Sequence, residues 1–185
     1  MTAASLPGPG AVLDFWRDLG PSGWFRKDDA VDAEIRRRFL PLWQAAKGGA
    51  LAHWAREGKD ALSLVIVLDQ FPRNMFRDSA KAFTTDAAAR AVARLMLEAG
   101  HDRRIEEALR PFCYMPFMHS EALEDQELCV DLVRTRLDNP NTLHHAIQHR
   151  DMIARFGRFP HRNAALGRVS TEEETAYLEG GGYVP

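Results

Sequence analysis

The stretch Ala61–Leu68, reading ALSLVIVL, constrains this chain more than any other segment. It is apolar apart from Ser63, and the β-branched residues Val65, Ile66 and Val67 suit either a buried strand or a buried helix. A lone strand cannot satisfy its own backbone N–H and C=O groups. The sequence holds no second run of this kind to pair with it. The segment is therefore expected to be a central helix, apolar nearly all round and buried in a helical protein.

The remaining segments read as helix as well. A short helix over about 12–19 is expected to stop at Gly20-Pro21. Asp28 or Asp29 caps a second, running to about Lys47, with Ile35, Phe39, Leu42 and Trp43 as its apolar stripe. Pro41 lies inside it and is predicted to kink or divide it near Leu40, and Gly48-Gly49 ends it. A short piece with Leu51 and Trp54 closes at Gly58, and Asp60 is expected to cap the central helix. Thr85 caps a helix over Asp86–Ala99, with Gly100 well placed just past its end. Pro111 and Pro116 break up an aromatic-rich stretch over 103–118. Ser120 is expected to cap a long helix to about Leu137. Asn139-Pro140 opens another, to Phe156, with Gly157 at its end. Ser170 and Glu173 have capping-box spacing before a short last helix. Residues 1–10 and 180–185, the latter containing Gly180-Gly181-Gly182, are expected to be flexible. About eight helices with short loops imply one all-α domain over 1–185, packed as antiparallel hairpins.

Composition narrows the function classes. The chain has 185 residues and a formal charge of −2, from 24 basic and 26 acidic side chains. That balance gives no broad electrostatic footprint for nucleic acid or an anionic membrane. The two cysteines, Cys113 and Cys129, form no CxxC pair and sit among apolar neighbours, as small hydrophobes do. The first ten residues lack the basic and apolar regions of a secretory signal, so a reducing, cytoplasmic setting is expected. There is no glycine-rich phosphate loop, nucleophile elbow or dinucleotide fingerprint, and no cofactor is implied.

Four clusters of polar residues are candidates for chemistry. In Leu68-Asp69-Gln70-Phe71-Pro72-Arg73-Asn74, Asp69 falls on the face of Leu62, Val65 and Ile66, where an acid needs a cation or donors. Either Arg73 or Asn74 closes the helix end, with Pro72 preventing its continuation, or the two project into a pocket and hold a ligand. In the helix 143–156, Arg150 lies in the middle of a stripe of Leu143, Ala146, Ile147, Ile153 and Ala154. Asp69 and Glu121 are its candidate partners. His145 and His149 form an HxxxH pair beside that stripe, but Ala146 stands where a metalloprotease has Glu, and two ligands alone do not make a zinc site. The third cluster is Arg155-Phe156-Gly157-Arg158-Phe159-Pro160-His161-Arg162-Asn163, whose cations suit an anion pocket or an exposed basic helix end. In the fourth, Met118-His119-Ser120-Glu121, His119 is a candidate proton carrier and Glu121 its orienter or an acid in its own right.

These motifs, together with Leu13-Asp14-Phe15-Trp16, Trp24-Phe25, Pro116-Phe117 and Leu166-Gly167-Arg168, resemble a bacterial family of uncharacterised, all-helical proteins over nearly the whole chain. The resemblance implies a tetratricopeptide-like fold and no established reaction. The family often has Glu at the position of Met118 and Pro at that of Glu172; the first difference removes a possible acid beside His119. The residues themselves point to an internal polar pocket. In it His119, Glu121 and His161 would do acid–base work, and Asp69, Arg73, Asn74, Arg150, Arg158, Arg162 and Asn163 would hold an anionic small molecule. A tetratricopeptide-like scaffold that binds a peptide terminus in an open groove is the alternative.

Overall fold

The computed structural model describes residues 5–184, and every regular element in them is helical. Residues 1–4 and 185, parts of the stretches expected to be flexible, lie outside the described residues. The chain forms two compact units. One takes in the chain up to Arg77 together with Lys81–Cys113; the other takes in Asp78–Ala80 and the chain from Tyr114 onward.

In the first unit, α1 (Pro9–Trp24) is two helical pieces that meet at Gly20-Pro21: the first stops there as expected, because Gly20 takes φ 65°, ψ 176°, and Pro21 starts the second. The Trp24 indole N–H spans the kink to the Trp16 carbonyl at 2.6 Å. Helix α2 (Asp29–Lys47) begins where predicted, its N-cap Asp28 accepting the N–H groups of Ala30 and Val31. Pro41 neither divides nor ends it. An interior proline costs about 3 kcal/mol, but Ile35, Phe39, Leu42 and Trp43 are all buried. Full burial of each such side chain contributes roughly 1.5–3 kcal/mol, so packing outweighs the break.

The central apolar segment is helical, as its isolation requires. It is made of α3 (Gly58–Val65), one widened π turn (Ile66–Gln70) and α4 (Phe71–Met75). Residues 61–70 are buried without exception. Asp60 lies in the first turn of α3 rather than at its cap. Pro72 does not stop the helix either, and the widened turn is the reason. In a regular α-turn the proline ring would clash with the Leu68 carbonyl and offer it no donor. Here Phe71 N–H reaches back to the Ile66 carbonyl. The Leu68 carbonyl takes the Thr85 hydroxyl at 2.6 Å, and that of Asp69 takes Arg73 Nη1 at 2.7 Å. Thr85 is the N-cap residue of α5 (Asp86–Glu98), as expected, but its side chain makes no capping hydrogen bond, since its hydroxyl serves Leu68 and accepts the Trp43 indole N–H at 3.2 Å. Gly100, at φ 65°, closes α5 as expected. Phe71 stacks on Phe39 at 4.7 Å and meets Trp16 edge-on at 5.8 Å, tying the central segment to α2 and α1.

The second unit holds α6 (Met115–Met118), the hairpin of α7 (Leu123–Arg136) and α8 (Pro140–Phe156), and α9 (Glu172–Glu179). Ser120 does not cap α7. Its hydroxyl accepts Ala122 N–H and donates to Asp125 at 2.7 Å, holding the turn that precedes the helix. Helix α8 follows its local signals: Asn139 accepts Thr142 N–H, and Gly157 ends the helix at φ 69°. The capping box of α9 is one residue later than predicted, formed by Thr171 and Glu174. Tyr183 folds back to pack with Phe156 and Tyr177 against Met152, Ile153 and Phe159.

Both cysteines are buried free thiols, Cys113 in the first unit and Cys129 in the second. Burial pushes both thiol pKa values up, that of Cys129 to about 12. Among the described residues no helix is long and apolar enough to cross a membrane.

The Thr85 hydroxyl joins the central helix to α2 by two hydrogen bonds, so Thr85→Val should leave the Leu68 carbonyl and the Trp43 N–H short of a partner. Orphaning a buried polar group costs about 1–3 kcal/mol. Thermal unfolding should shift down by several degrees, and Thr85→Ser should recover most of the loss.

Candidate functional site

The Asp69 motif is an ionic lock within the first unit. Arg73 places Nη1 and Nη2 on the two carboxylate oxygens of Asp86, at 2.9 and 3.0 Å, while Nη1 lies 3.4 Å from Asp69 Oδ1. Gln70 Nε2 donates to the other oxygen of Asp69, which is fully buried. Asn74 donates to Asp32 at 2.8 Å, and Arg77 pairs with the same carboxylate. Asp69, Arg73 and Asn74 therefore make the side-chain frame of the widened turn.

The second unit gathers a different set of groups around Phe159, which is fully buried in the loop after α8. The His149 and His161 rings lie 5.6 and 5.5 Å from the Phe159 ring, and the Arg162 guanidinium sits 4.2 Å over its face. Arg162, itself buried, donates from Nη1 to the His119 carbonyl at 3.1 Å, and the His119 ring lies 6.3 Å from that of His149. Two imidazoles and a guanidinium thus lie against one aromatic ring, and the His119 ring stands beside that of His149. His119 and His161 are partly exposed, so solvent reaches the cluster.

A shell of committed ion pairs holds this cluster in place. The Glu121 carboxylate accepts the Phe159 N–H at 2.9 Å and a two-pronged contact from Arg168 at 2.9 and 2.8 Å. Burial would raise the Glu121 carboxyl, but Arg168 and the Phe159 N–H outweigh it and hold the group ionised. Glu121 is therefore a clamp on the loop, aimed at Arg168 and Phe159. Arg158 grips both oxygens of Glu174, at 2.6 and 2.7 Å, and donates to the Val169 carbonyl. Asn163 Nδ2 reaches Ser170 and Glu174, and Arg155 pairs with Glu173.

Arg150 takes neither partner named from the sequence. Its Nε bonds the neighbouring Asp151, while Asp69 and Glu121 are engaged as described. The buried face of α8 is Ala146, His149, Met152 and Ile153, which puts Arg150 on the flank and His149 inside. His149, considered from the sequence only as half of a metal pair, is the residue this rotation brings into the cluster. Its Nδ1 faces the His145 carbonyl at 2.7 Å, so Nδ1 carries the proton and Nε2 the lone pair. His145 Nδ1 and the Tyr183 hydroxyl share a hydrogen bond at 2.9 Å. Among the described residues there is no group of three or more His, Cys, Asp or Glu side chains suited to a metal. Burial, and then the charges of His119, Arg162 and His161, push His149 down to about 3. It is a neutral hydrogen-bonding group at ordinary pH.

The Arg158 hydrogen bonds hold the Glu174 carboxyl at about 2, below its ordinary 4.5. A depressed carboxylate stabilises above its unfolded value, and the contribution is lost as pH falls toward the folded one. Glu174→Gln should melt below wild type at neutral pH. The gap should narrow below the ordinary carboxylate range and close near pH 2 in thermal unfolding followed across pH.

A solved structure of a protein of unknown function from Agrobacterium tumefaciens is similar to this chain, with a TM-score of 0.90 and 43% sequence identity over 94% of this chain and 97% of that one. No curated protein matches. The family model described as bacterial protein of unknown function (DUF924) matches residues 12–182, and the chain belongs to that family.

Proposed function

We propose that the protein binds a small anion, a carboxylate or phosphate compound, at His119, His149, His161 and Arg162. The observation that carries this reading is the gathering of two imidazoles and a buried guanidinium on the Phe159 ring, with a third imidazole, His119, beside His149. Burial does most to depress His149, and the neighbouring charges of His119, Arg162 and His161 add to it. An incoming anion relieves that repulsion, and in a partly water-excluded site each contact to a charged donor is stronger than in water. Neutral His149 offers Nε2 as an acceptor, which favours ligands with a hydroxyl or N–H beside the anionic group. His119 and His161 are the groups placed to move a proton if the bound molecule reacts. Glu121, Arg158 and Asn163 orient the loop rather than touch the ligand. A tetratricopeptide-like arrangement of the hairpins and a cytoplasmic setting complete this reading, in which a peptide terminus would meet the same chemistry through its carboxylate.

Imidazole resonances followed by NMR during titration with inorganic phosphate and with acetate test it. One of the two anions should shift the His119, His149 and His161 signals saturably and raise the His149 titration point. His161→Gln should weaken that binding while leaving the fold intact. Unshifted histidine signals in both titrations, or undiminished binding by His161→Gln, would overturn the reading.

A further inference from the structure

The first unit contains a cavity of about 380 Å³ between α1, α3 and residues 103–110, and it shares no residue with the histidine cluster. Five cations line it: Arg17 of α1, Lys59 of α3, and Arg103, Arg104 and Arg110. Glu106 is the one carboxylate in that lining, so five positive charges against one negative leave +4 in a chain whose formal charge is −2. The floor is apolar, formed by the buried side chains of Leu13, Leu62, Ile105 and Leu109.

Two of the cations are fixed. Arg17 places Nε and Nη2 on Glu106 Oε1 at 3.0 and 2.7 Å, and Asp14 holds its Nη1 at 3.2 Å. Arg110 is anchored by Nε and Nη2 on the Ile105 carbonyl, at 3.3 and 3.0 Å. Lys59, Arg103 and Arg104 are exposed and make no ion pair among the described residues. Like charges pooled on one concave wall repel one another, and a multivalent anion removes that repulsion while taking several charge-assisted hydrogen bonds. An apolar floor beneath a cationic rim adds a requirement for a hydrophobic flank. The volume lies near the lower end of the roughly 300–1,000 Å³ range of small-molecule sites.

The geometry points to a second ligand site here, for a compact organic dianion with one apolar flank and either a phosphate or a pair of carboxylates at the other end. Arg103, Arg104 and Lys59 recognise the charged end, the fixed Arg17 sets its orientation, and the leucines and Ile105 take the apolar flank. The site is concave and short, and it is built for a small molecule rather than a polymer.

Isothermal titration calorimetry with phenyl phosphate, phthalate and inorganic phosphate tests this on the full chain. Phenyl phosphate or phthalate should bind once per chain, and whichever binds more tightly identifies the charged group as phosphate or dicarboxylate. The double variant Arg103→Gln/Arg104→Gln alters two exposed side chains and should melt as wild type does. It should weaken binding by about tenfold or more, because each arginine supplies charge-assisted hydrogen bonds that glutamine does not. His161→Gln should leave this binding unchanged, which separates the site from the histidine cluster. Absence of binding by both organic anions, equal affinity for inorganic phosphate and phenyl phosphate, or undiminished binding by the double variant would overturn the assignment.

Discussion

The hydrogen bond from the Thr85 hydroxyl to the Leu68 carbonyl is the contact on which the first unit depends. The buried central segment must carry Pro72 through its interior, and a proline there removes a donor exactly where water cannot replace it. Widening one turn makes room for the ring, and side chains reach the carbonyls on either side of it. Thr85 serves Leu68 and Arg73 serves Asp69. Arg73 then needs compensation for its own charge, which Asp86 and Asp69 supply. The acid and the arginine of this motif thus hold one another and the widened turn together.

What the sequence reveals depends on the range of the interaction that decides each feature. Asn139-Pro140 and Gly157 bound α8 as their residue types dictate, because a cap and a left-handed glycine are settled within a few residues. Thr85 and Ser120 have the right types to cap a helix, yet their hydroxyls go to Leu68 and Asp125. Pro41 and Pro72 obey the same logic. Breaking a helix is a local preference, and the burial of Trp43 or Phe71 overrides it.

The candidate site divides along the same line. His119, His161 and Arg162 stand out in the sequence because titratable and cationic groups are interleaved there with aromatics. The Phe159 ring shared by His161 and Arg162, and the inward turn of His149 toward His119, are properties of packing. Treating Leu143 and Ile147 as the core stripe of α8 rotates the helix and brings Arg150 inside. The actual face keeps Ala146 and Ile153 from that stripe and adds His149 and Met152. A neutral imidazole bonded to the carbonyl one turn back can be buried at far less cost than a guanidinium, which keeps its charge. The ion pairs Glu121–Arg168 and Arg158–Glu174 are spread over distant positions, so their pairing is set by how the loop closes rather than by spacing.

The two cysteines have a practical meaning beyond packing. Each compact unit carries a single thiol, and burial holds both in the protonated form that alkylating reagents attack poorly. Reaction at either sulfur must wait for the surrounding helices to open. Cys113 and Cys129 are thus built-in reporters of local unfolding, one for each unit, and their separate modification rates measure how independently the two halves of the chain breathe.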